Sequence, residues 1–199
     1  MNREAMLERV RIALGHKPGQ SIEEPPPVYL TRIERSKGER IALFTAALEA
    51  LAGRVVRCAT RETARDTVTS MIAGKQVVAS QASYLRLCGI SIENVETPDA
   101  DVGITSADYA LADTGTLVMI SGAEESRLIS LLPPTHIAVV PVSRLLENLD
   151  DLLTRVPRPA DGTSSMVLIT GPSRTADIEQ ILVRGVHGPG EITVILVDD

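Results

Sequence analysis

Residues 54–80 read RVVRCATRETARDTVTSMIAGKQVVAS, and their pattern is that of a strand, a helix and a second strand. The first apolar run covers residues 54–58, and Thr60 follows it as a residue that can cap a helix. Gly74 ends the helical pattern before the second apolar run, at residues 76–80. Strands joined by such a crossover helix run parallel almost without exception. This stretch therefore predicts an α/β fold.

Apolar segments on both sides of residues 54–80 continue the same alternation. Before it, apolar residues at helical spacing predict a helix from Gly38 to Leu51. After it, short apolar runs predict strands at residues 102–105, 117–121, 137–142, 166–169 and 192–197. Helices are predicted at residues 83–87, 124–132 and 143–153, and residues 106–112 are expected to form a turn or a helical piece.

The N-terminal 30 residues differ from the rest of the chain. Residues 2–14 carry an apolar stripe typical of a helix, and the Pro-rich residues 17–27 that follow cannot continue it. We therefore expect residues 1–30 to form a helix and an extended linker, and residues 31–199 to form the α/β domain. Such an arm could pack on the body, pack on a second subunit in a homo-oligomer, or remain loosely attached.

Composition and charge restrict the function of the chain. The 199 residues carry a net charge of −6 and contain no run of Lys or Arg, which disfavours a nucleic-acid partner. The two cysteines, Cys58 and Cys88, lie in apolar surroundings and are predicted to be buried free thiols, so no iron–sulfur cluster or other metal site is expected. Early charges interrupt any secretory segment, and no apolar run approaches the roughly 18 residues of a membrane span, so we expect a cytoplasmic protein.

The richest polar segment is GPSRTADIE at residues 171–179, followed by GVHGPG at residues 185–190. Ser173 or Thr175 can cap a short helix here, and Arg174 would lie beside its N-terminus, an arrangement that suits an anionic group. Asp177 and Glu179 would repel a phosphate, so a hydroxyl-rich or cationic group fits equally well. The alternative is an ordinary capped helix between two strands.

Other polar positions have both a functional and a structural interpretation. Thr114, Gly115 and Thr116 bring hydroxyls and exposed backbone N–H groups together, although such a sequence is more often a hairpin or bulge. Arg127 either swings toward these loops or is a solvated surface residue. His136 either serves a ligand as donor, acid or base, or is satisfied by the backbone.

Several of these segments resemble one known family. Residues 171–179 and 185–189, together with ALADTGTLV at residues 110–118, are similar to the signature motifs of the lactate-utilization protein C family, whose shared unit is the LUD domain. Arg127, Pro133 and His136 stand where that family has an Arg, a Pro and a His. The resemblance covers about residue 100 to the end, and it departs from the family pattern at Asp113, where a Glu is common.

The resemblance implies a fold and an activity. The fold would be a three-layer α/β structure with an open, mostly parallel sheet and helices on both faces, like that of ribose-phosphate isomerases, acyl-CoA transferases and 5-formyltetrahydrofolate cyclo-ligase. The activity would be oxidation of L-lactate to pyruvate beside two partner proteins, one of them an iron–sulfur carrier. Because ligands of open α/β sheets bind beyond the carboxyl ends of strands, we expect the turns near Gly115 and Gly171 to lie there.

Three hypotheses follow, and the residues identify no cofactor for any of them. In the first, the chain is an accessory subunit of a lactate-oxidising system that binds a small anionic metabolite or a partner's cofactor. Its expected ligand-binding residues are Thr114, Gly115, Thr116, Arg127, His136, Gly171, Ser173, Arg174, Thr175, Glu179 and Gly188. In the second, it transfers an acyl or phosphoryl group of a CoA ester or nucleotide, with Asp113 or Asp177 as carboxylate and His187 as acid or base. In the third, it is a metabolite sensor.

Overall fold

The computed structural model describes residues 3–15, 34–122, 124, 126–157, 162–163, 165–176 and 182–198. Its helices are α1 (Arg3–Ala13), α2 (Lys37–Ala50), α3 (Arg61–Met71), α4 (Ser83–Leu87), α5 (Arg127–Leu131) and α6 (Leu149–Arg155). Its strands are β1 (Arg54–Cys58), β2 (Val77–Ala79), β3 (Val102–Thr105), β4 (Tyr109–Leu111), β5 (Thr116–Ile120), β6 (Thr135–Pro141), β7 (Leu145–Leu146), β8 (Met166–Ile169), β9 (Arg174–Ala176), β10 (Leu182–Arg184) and β11 (Glu191–Val197).

The central sheet has five parallel strands in the order β1-β11-β6-β3-β2. The predicted unit of strand, helix and strand is confirmed as β1, α3 and β2, with Thr60 capping α3 by accepting from the backbone N–H of Thr63. Its two strands lie at opposite edges of the sheet, because β3, β6 and β11 insert between them. The α/β fold is therefore confirmed.

Helices cover both faces of the central sheet. On one face, α3 and α4 contribute Val68 and Leu85 to a buried cluster with Ile137, Val139 and Ile195 of the sheet. On the other face, α2 contributes Ile41, Phe44 and Leu48 to a second cluster, which also contains Ala138, Val140 and Val194 of the sheet. Ser36 and Glu39 form a capping box at the start of α2. The Ser36 hydroxyl accepts from the backbone N–H of Glu39, and the Glu39 carboxylate accepts from the backbone N–H of Ser36.

A second sheet, in the order β7-β4-β5-β8, packs on the same face as α2 through Leu117 and Met119. It was not predicted. Residues 106–112 were expected to form a turn or helical piece, but Tyr109–Leu111 form β4, an antiparallel partner of β5. Pairing with β5 buries Ala110 and Leu111, which a local turn would leave in water.

The predicted helix at residues 143–153 is also partly wrong. Leu145 and Leu146 form β7, buried beside β4, and the helix α6 begins only at Leu149. Asn148 causes this late start, because its side chain accepts from the backbone N–H of Asp151 as an N-cap does. The helix predicted at residues 124–132 is likewise shorter, since Ser126 caps α5 just before Arg127.

The chain divides into residues 1–32 and 33–199. Within the first unit, α1 is the described element, and it has no buried residue. Its apolar side chains Met6 and Val10 are about half exposed, at 52% and 50%. The predicted linker at residues 17–27 lies outside the described residues, and the role of the arm in a homo-oligomer stays a prediction.

Candidate functional site

Two threonine-containing turns meet at one end of the second sheet. Thr116 Oγ1 lies 2.8 Å from Thr114 Oγ1 and 2.8 Å from Thr170 Oγ1. Thr114 in turn donates a hydrogen bond to Asp113 Oδ1 at 3.3 Å. The antiparallel pairing of β5 with β8 brings Thr116 and Thr170 side by side. Residues 113–116 and the turn that begins at Thr170 therefore form one polar cluster, which we call the threonine turns.

Both glycines of the threonine turns pack on the end of α2. Gly115 has a φ of +64°, and a Cβ at this position would lie 2.5 Å from the backbone nitrogen of Leu48. Gly171 has a φ of +84°, and its Cβ would lie 2.9 Å from the Cβ of Leu51. Only glycine combines this backbone conformation with so close an approach. The two residues expected to bind a ligand thus hold the turns against the helix.

The prediction of a helix after Ser173 is wrong for residues 174–176 and 182–184, and the residues between them lie outside the described part. Residues on either side of position 179 instead form the antiparallel pair β9 and β10, with Thr175 opposite Val183. These β-branched residues suit an extended ladder, and pairing along the chain overrides the apolar spacing that suggested a helix. The helix N-terminus that was expected to attract an anion therefore does not exist at Ser173. Asp177 and Glu179 lie outside the described residues.

Ser173 connects the hairpin to the loop at residues 185–190. Its backbone N–H donates to the carbonyl of Pro189 at 2.8 Å, and its carbonyl accepts from Gly185 at 3.1 Å. Gly188 lies against the Ser173 side chain, 3.4 Å from a Cβ built on the glycine to the Cβ of the serine. His187 is exposed on the same loop. The structure thus brings Ser173 and Gly188 together and leaves His187 at the surface.

Arg174 is anchored on the same helix end. Its guanidinium donates a hydrogen bond to the carbonyl of Leu51, the C-terminal cap residue of α2. A cation is favourable there, because the last carbonyls of a helix are unpaired and carry the negative end of its dipole. The side chain that was expected to bind an anion is therefore engaged in capping.

The position of these turns corrects another expectation. Leu51 lies three residues before β1, and Gly190 lies immediately before β11 and donates to the carbonyl of Pro134, just before β6. The threonine turns and the loop at 185–190 therefore lie at the amino ends of the central strands, where carboxyl ends were expected. The reason is that β5 and β8 belong to the second sheet, so their ends do not follow those of the parallel strands.

His136 and Arg127 occupy very different environments. His136 is fully buried in β6, where its Nε2 shares a 2.8 Å hydrogen bond with Thr105 Oγ1 and its Nδ1 has no partner. Burial lowers the pKa of His136 to about 4, so the ring is neutral at pH 7. In this structure a ligand in solvent does not reach it. Arg127 is exposed at the first position of α5.

A cleft of about 330 Å³ opens at the other end of the central sheet. It lies where β2, β3 and β6 end, and its polar lining consists of Ser83, Tyr84, Ser106, Asp108, Glu124 and Arg144. This is the carboxyl end of parallel strands, the usual ligand position in open α/β sheets. We call it the carboxyl-end cleft.

Arg144 is held in this cleft by backbone and by an aromatic ring. Its Nη1 donates to the carbonyl of Ala107 at 3.0 Å and approaches Ser106 Oγ at 3.4 Å. Its guanidinium carbon lies 5.5 Å from the centre of the Tyr84 ring, within the range of a cation–π contact. The guanidinium therefore has a fixed orientation at the cleft wall.

Asp108 supplies the opposite charge. Its Oδ2 accepts a 2.7 Å hydrogen bond from the backbone N–H of Ile120. Burial raises the pKa of Asp108, against the lowering effects of that hydrogen bond and of the nearby Arg144. A carboxyl group with a raised pKa in a cleft is a frequent property of functional sites.

Comparison with known sequences identifies the family. The family model of the LUD domain matches residues 93–197, more than half of the chain. The chain belongs to the LUD domain family. The matched range contains the threonine turns, Asp108 and Arg144, whereas Ser83 and Tyr84 of the carboxyl-end cleft precede it.

Curated relatives of this LUD domain chain include proteins named lactate utilization protein C. The protein from Anoxybacillus flavithermus is 30% identical over 98% of this chain and 99% of its own length. The protein from Shouchella clausii is 30% identical over 100% of this chain and 98% of its own. A shorter match to the protein from Halalkalibacterium halodurans is 44% identical, and it spans 50% of this chain and 45% of that relative.

A solved structure agrees with the LUD domain fold described above. The crystal structure of a DUF162 family protein from Deinococcus radiodurans superposes with a TM-score of 0.64 and covers 82% of this chain and 99% of the other. At 18% sequence identity the likeness concerns the fold alone.

Metal-binding clusters and membrane-spanning helices are absent from the described part of the LUD domain chain. Over those residues, no three His, Cys, Asp or Glu side chains are arranged to hold a metal ion. Nor does any described helix combine the length and apolarity needed to cross a bilayer. Cys58 and Cys88 are buried and are not joined in a disulfide.

Asp108 and Arg144 were missed by reasoning from the sequence. A signal was available, because Ser106 and Asp108 follow the apolar β3 directly and Arg144 follows β6 in the same way. Polar residues placed just after parallel strands meet at one edge of the sheet. This signal was overlooked because residues 106–112 were predicted as a turn or helical piece and residues 143–153 as a helix.

Proposed function

We propose that this chain is a component of lactate utilization and acts as an accessory subunit beside redox partners. The observation that carries the proposal is the end-to-end match to curated proteins named lactate utilization protein C. Its cysteines support the accessory role, because Cys58 and Cys88 are both buried in apolar surroundings. Iron–sulfur clusters are held by sets of cysteine thiolates that this chain does not offer. Electron transfer would then fall to a partner.

Gene deletion tests this role directly. A strain that lacks the chain is expected to lose growth on L-lactate while it keeps growth on pyruvate, the product of lactate oxidation. Growth on pyruvate is the matched control, since it uses the same downstream metabolism. Restored growth after reintroduction of the gene would support the proposal. Unchanged growth of the deletion strain on L-lactate would contradict it.

We further infer that the threonine turns and the loop at residues 185–190 form the surface that meets the iron–sulfur partner or its ligand. Asp113, Thr114, Arg174 and His187 are all exposed there, and Ser173 joins the hairpin to the loop of His187. Exposed polar side chains on loops held by a rigid scaffold are typical of binding surfaces. The residues Thr175 and Gly188, in the same segment, are half-buried and would support the surface from below.

Co-purification tests the surface. Tagged chain is expected to retain iron–sulfur protein from lactate-grown cells, and the combined change Asp113→Asn with His187→Ala is expected to reduce the recovered iron by about tenfold, because two exposed contacts of about 1 kcal/mol or less each are lost. Asp66→Asn, an exposed carboxylate on α3, is the control. Equal recovery of iron by the double variant and the Asp66→Asn control would contradict the assignment of this surface.

The enzyme hypothesis remains the alternative. Acyl or phosphoryl transfer would use Asp113 or Asp177 as carboxylate and His187 as acid or base. Asp113 and His187 are exposed, whereas a dry site is the usual setting of such chemistry. Turnover of a CoA ester or ATP that falls at least 100-fold with His187→Ala would favour this alternative over the accessory role.

A further inference from the structure

We propose that the carboxyl-end cleft binds a short carboxylate that carries a hydroxyl group, with Arg144 holding the carboxylate and Asp108 holding the hydroxyl. The existence of the site follows from its geometry. The choice of hydroxycarboxylate among small anions rests on the proposed function in lactate utilization. The site is separate from the threonine turns, which lie at the amino ends of the same strands.

The orientation of Arg144 suits a carboxylate. Both of its hydrogen bonds to protein, with Ala107 and Ser106, use Nη1. Nη2 and Nε can therefore serve a ligand, and a guanidinium binds a carboxylate with two parallel hydrogen bonds. Because Tyr84 and the backbone already fix the side chain, little conformational entropy remains to be lost on binding.

Asp108 can accept a hydrogen bond from a ligand hydroxyl. Its Oδ2 is engaged by the N–H of Ile120, which leaves Oδ1 for a ligand hydroxyl. The two opposite charges are each anchored to backbone, although a direct pair would satisfy both at once. This arrangement suits a ligand with two polar groups, because Arg144 can bind an anionic group while Asp108 accepts a hydrogen bond from a second group.

Glu124, the second carboxylate of the described cleft lining, already has a cationic partner. Glu124 is paired with Arg86, whose Nη2 lies 2.9 Å from Glu124 Oε1, and it also accepts from Ser83 at 2.9 Å. Those hydrogen bonds lower the pKa of Glu124, and its charge is balanced by the arginine. The guanidinium carbon of Arg61 lies on the same ring, 5.9 Å from the centre of Tyr84.

The size of the cleft limits the ligand. Its volume of about 330 Å³ is at the lower end of the range of about 300–1,000 Å³ found for small-molecule pockets. A molecule of a few carbon atoms fits within it, whereas an entire CoA or dinucleotide would extend far outside. The cleft therefore favours a small metabolite.

Three ligands test the carboxylate contact and the hydroxyl contact independently. Calorimetric titration of the full chain with L-lactate is expected to give saturable binding. Propionate, which has the carboxylate without the hydroxyl, is expected to bind about 3- to 10-fold more weakly, the effect of one ordinary hydrogen bond. Propane-1,2-diol, which lacks the carboxylate, is expected to show no saturation at the same concentrations.

Variants assign each contact to its residue. Arg144→Met is expected to weaken L-lactate and propionate alike, by about 10- to 100-fold, because a charged contact is lost. Asp108→Asn is expected to weaken L-lactate by about 3- to 10-fold and to leave propionate unchanged. Arg65→Met removes an exposed arginine of α3 and serves as the control with unchanged binding. If circular dichroism shows that Arg144→Met fails to fold, Arg144→Gln provides the same comparison, because it also removes the charge.

Several outcomes would overturn the proposal. One is an absence of saturable L-lactate binding to the folded protein. The others are binding of propane-1,2-diol as tight as that of L-lactate, and unchanged L-lactate binding by a folded Arg144 variant. The deletion experiment stays independent of these results. Loss of growth on L-lactate without binding at the cleft would preserve the proposed function and remove this inference. Binding at the cleft with unimpaired growth would do the opposite.

Discussion

Thr116 Oγ1 lies 2.8 Å from Thr170 Oγ1, and this contact joins two segments that are 54 residues apart in the chain. Thr116 follows the turn of Asp113, Thr114 and Gly115, and Thr170 directly precedes Gly171. The two segments that resemble family motifs are thus one structural unit. Both of their glycines press against α2, so the unit also fixes the helix end.

A double-mutant cycle measures the Thr116–Thr170 contact. Thr116→Val and Thr170→Val each remove a hydroxyl while they keep the side-chain shape, and we expect Thr116→Val to cost about 1 kcal/mol, since Thr116 is buried. The double variant is expected to be more stable than the sum of the two losses by about 0.5–1 kcal/mol. Urea denaturation provides the free energies of unfolding. Strict additivity would show that the hydroxyls are uncoupled.

Alanine at Gly115 tests how closely the turn approaches α2. Gly115→Ala would strain a left-handed residue and drive Cβ into the backbone of Leu48, so we expect a loss of about 3 kcal/mol or more. Gly74 has a similar φ of +73° but nothing within 4 Å of a built Cβ, so Gly74→Ala is expected to lose only about 1 kcal/mol. Equal losses in thermal or urea unfolding would refute the close approach.

His136 is expected to make stability depend on pH. Its pKa is about 4 in the folded protein and near 6.5 when unfolded, so protonation favours the unfolded chain. Its contribution is fully present above pH 6.5 and is lost as pH falls toward 4, by about 3 kcal/mol in total.

Urea denaturation at pH 7.5, 5.5 and 4.5 checks the role of His136. His136→Gln is expected to show a shallower decline of stability than the native chain over this range. His187→Gln, at an exposed histidine, is the matched control and is expected to follow the native profile. A native-like decline in His136→Gln would assign the pH dependence to carboxylates instead.

Asp108→Asn is expected to stabilise the protein at neutral pH. Burial raises the folded-state pKa of Asp108 above its unfolded value, so the ionised form is disfavoured in the fold. The neutral amide avoids this cost, and its oxygen can still accept from Ile120. The advantage is expected to vanish below pH 3, where Asp108 is neutral in both states. A variant that is less stable than the native chain at pH 7 would contradict this account.

Local features of the sequence predicted most of the central sheet. The helix after Thr60, the strand at Val102–Thr105 and the long buried strand before Asp198 were all correct, because caps and apolar runs act over a few residues. Predictions failed at β4, β7 and the β9–β10 hairpin. Each of these strands is short and forms because a partner strand pairs with it. Residues close in sequence do not indicate where that partner lies.

The candidate site shows the same division. The residues of the threonine turns were predicted from their composition, and the structure brings Thr114 and Thr116 together with Thr170. Their placement at the amino ends of the central strands could not be predicted, since it depends on β5 and β8 belonging to a separate sheet. The presence of Asp108 and Arg144 in one cleft could not be predicted, because it depends on which strand ends adjoin.

The sequence by itself determined the α/β class, the parallel strands, the cap of α3 at Thr60 and the polar composition of the turns, because these depend on contacts between near neighbours in the chain. The tertiary structure alone decided which edge of the sheet carries which polar group, how deeply His136 is buried, and that Arg174 caps a helix. Those properties depend on packing between segments that are far apart in sequence, and the free energy of that packing is shared among many side chains.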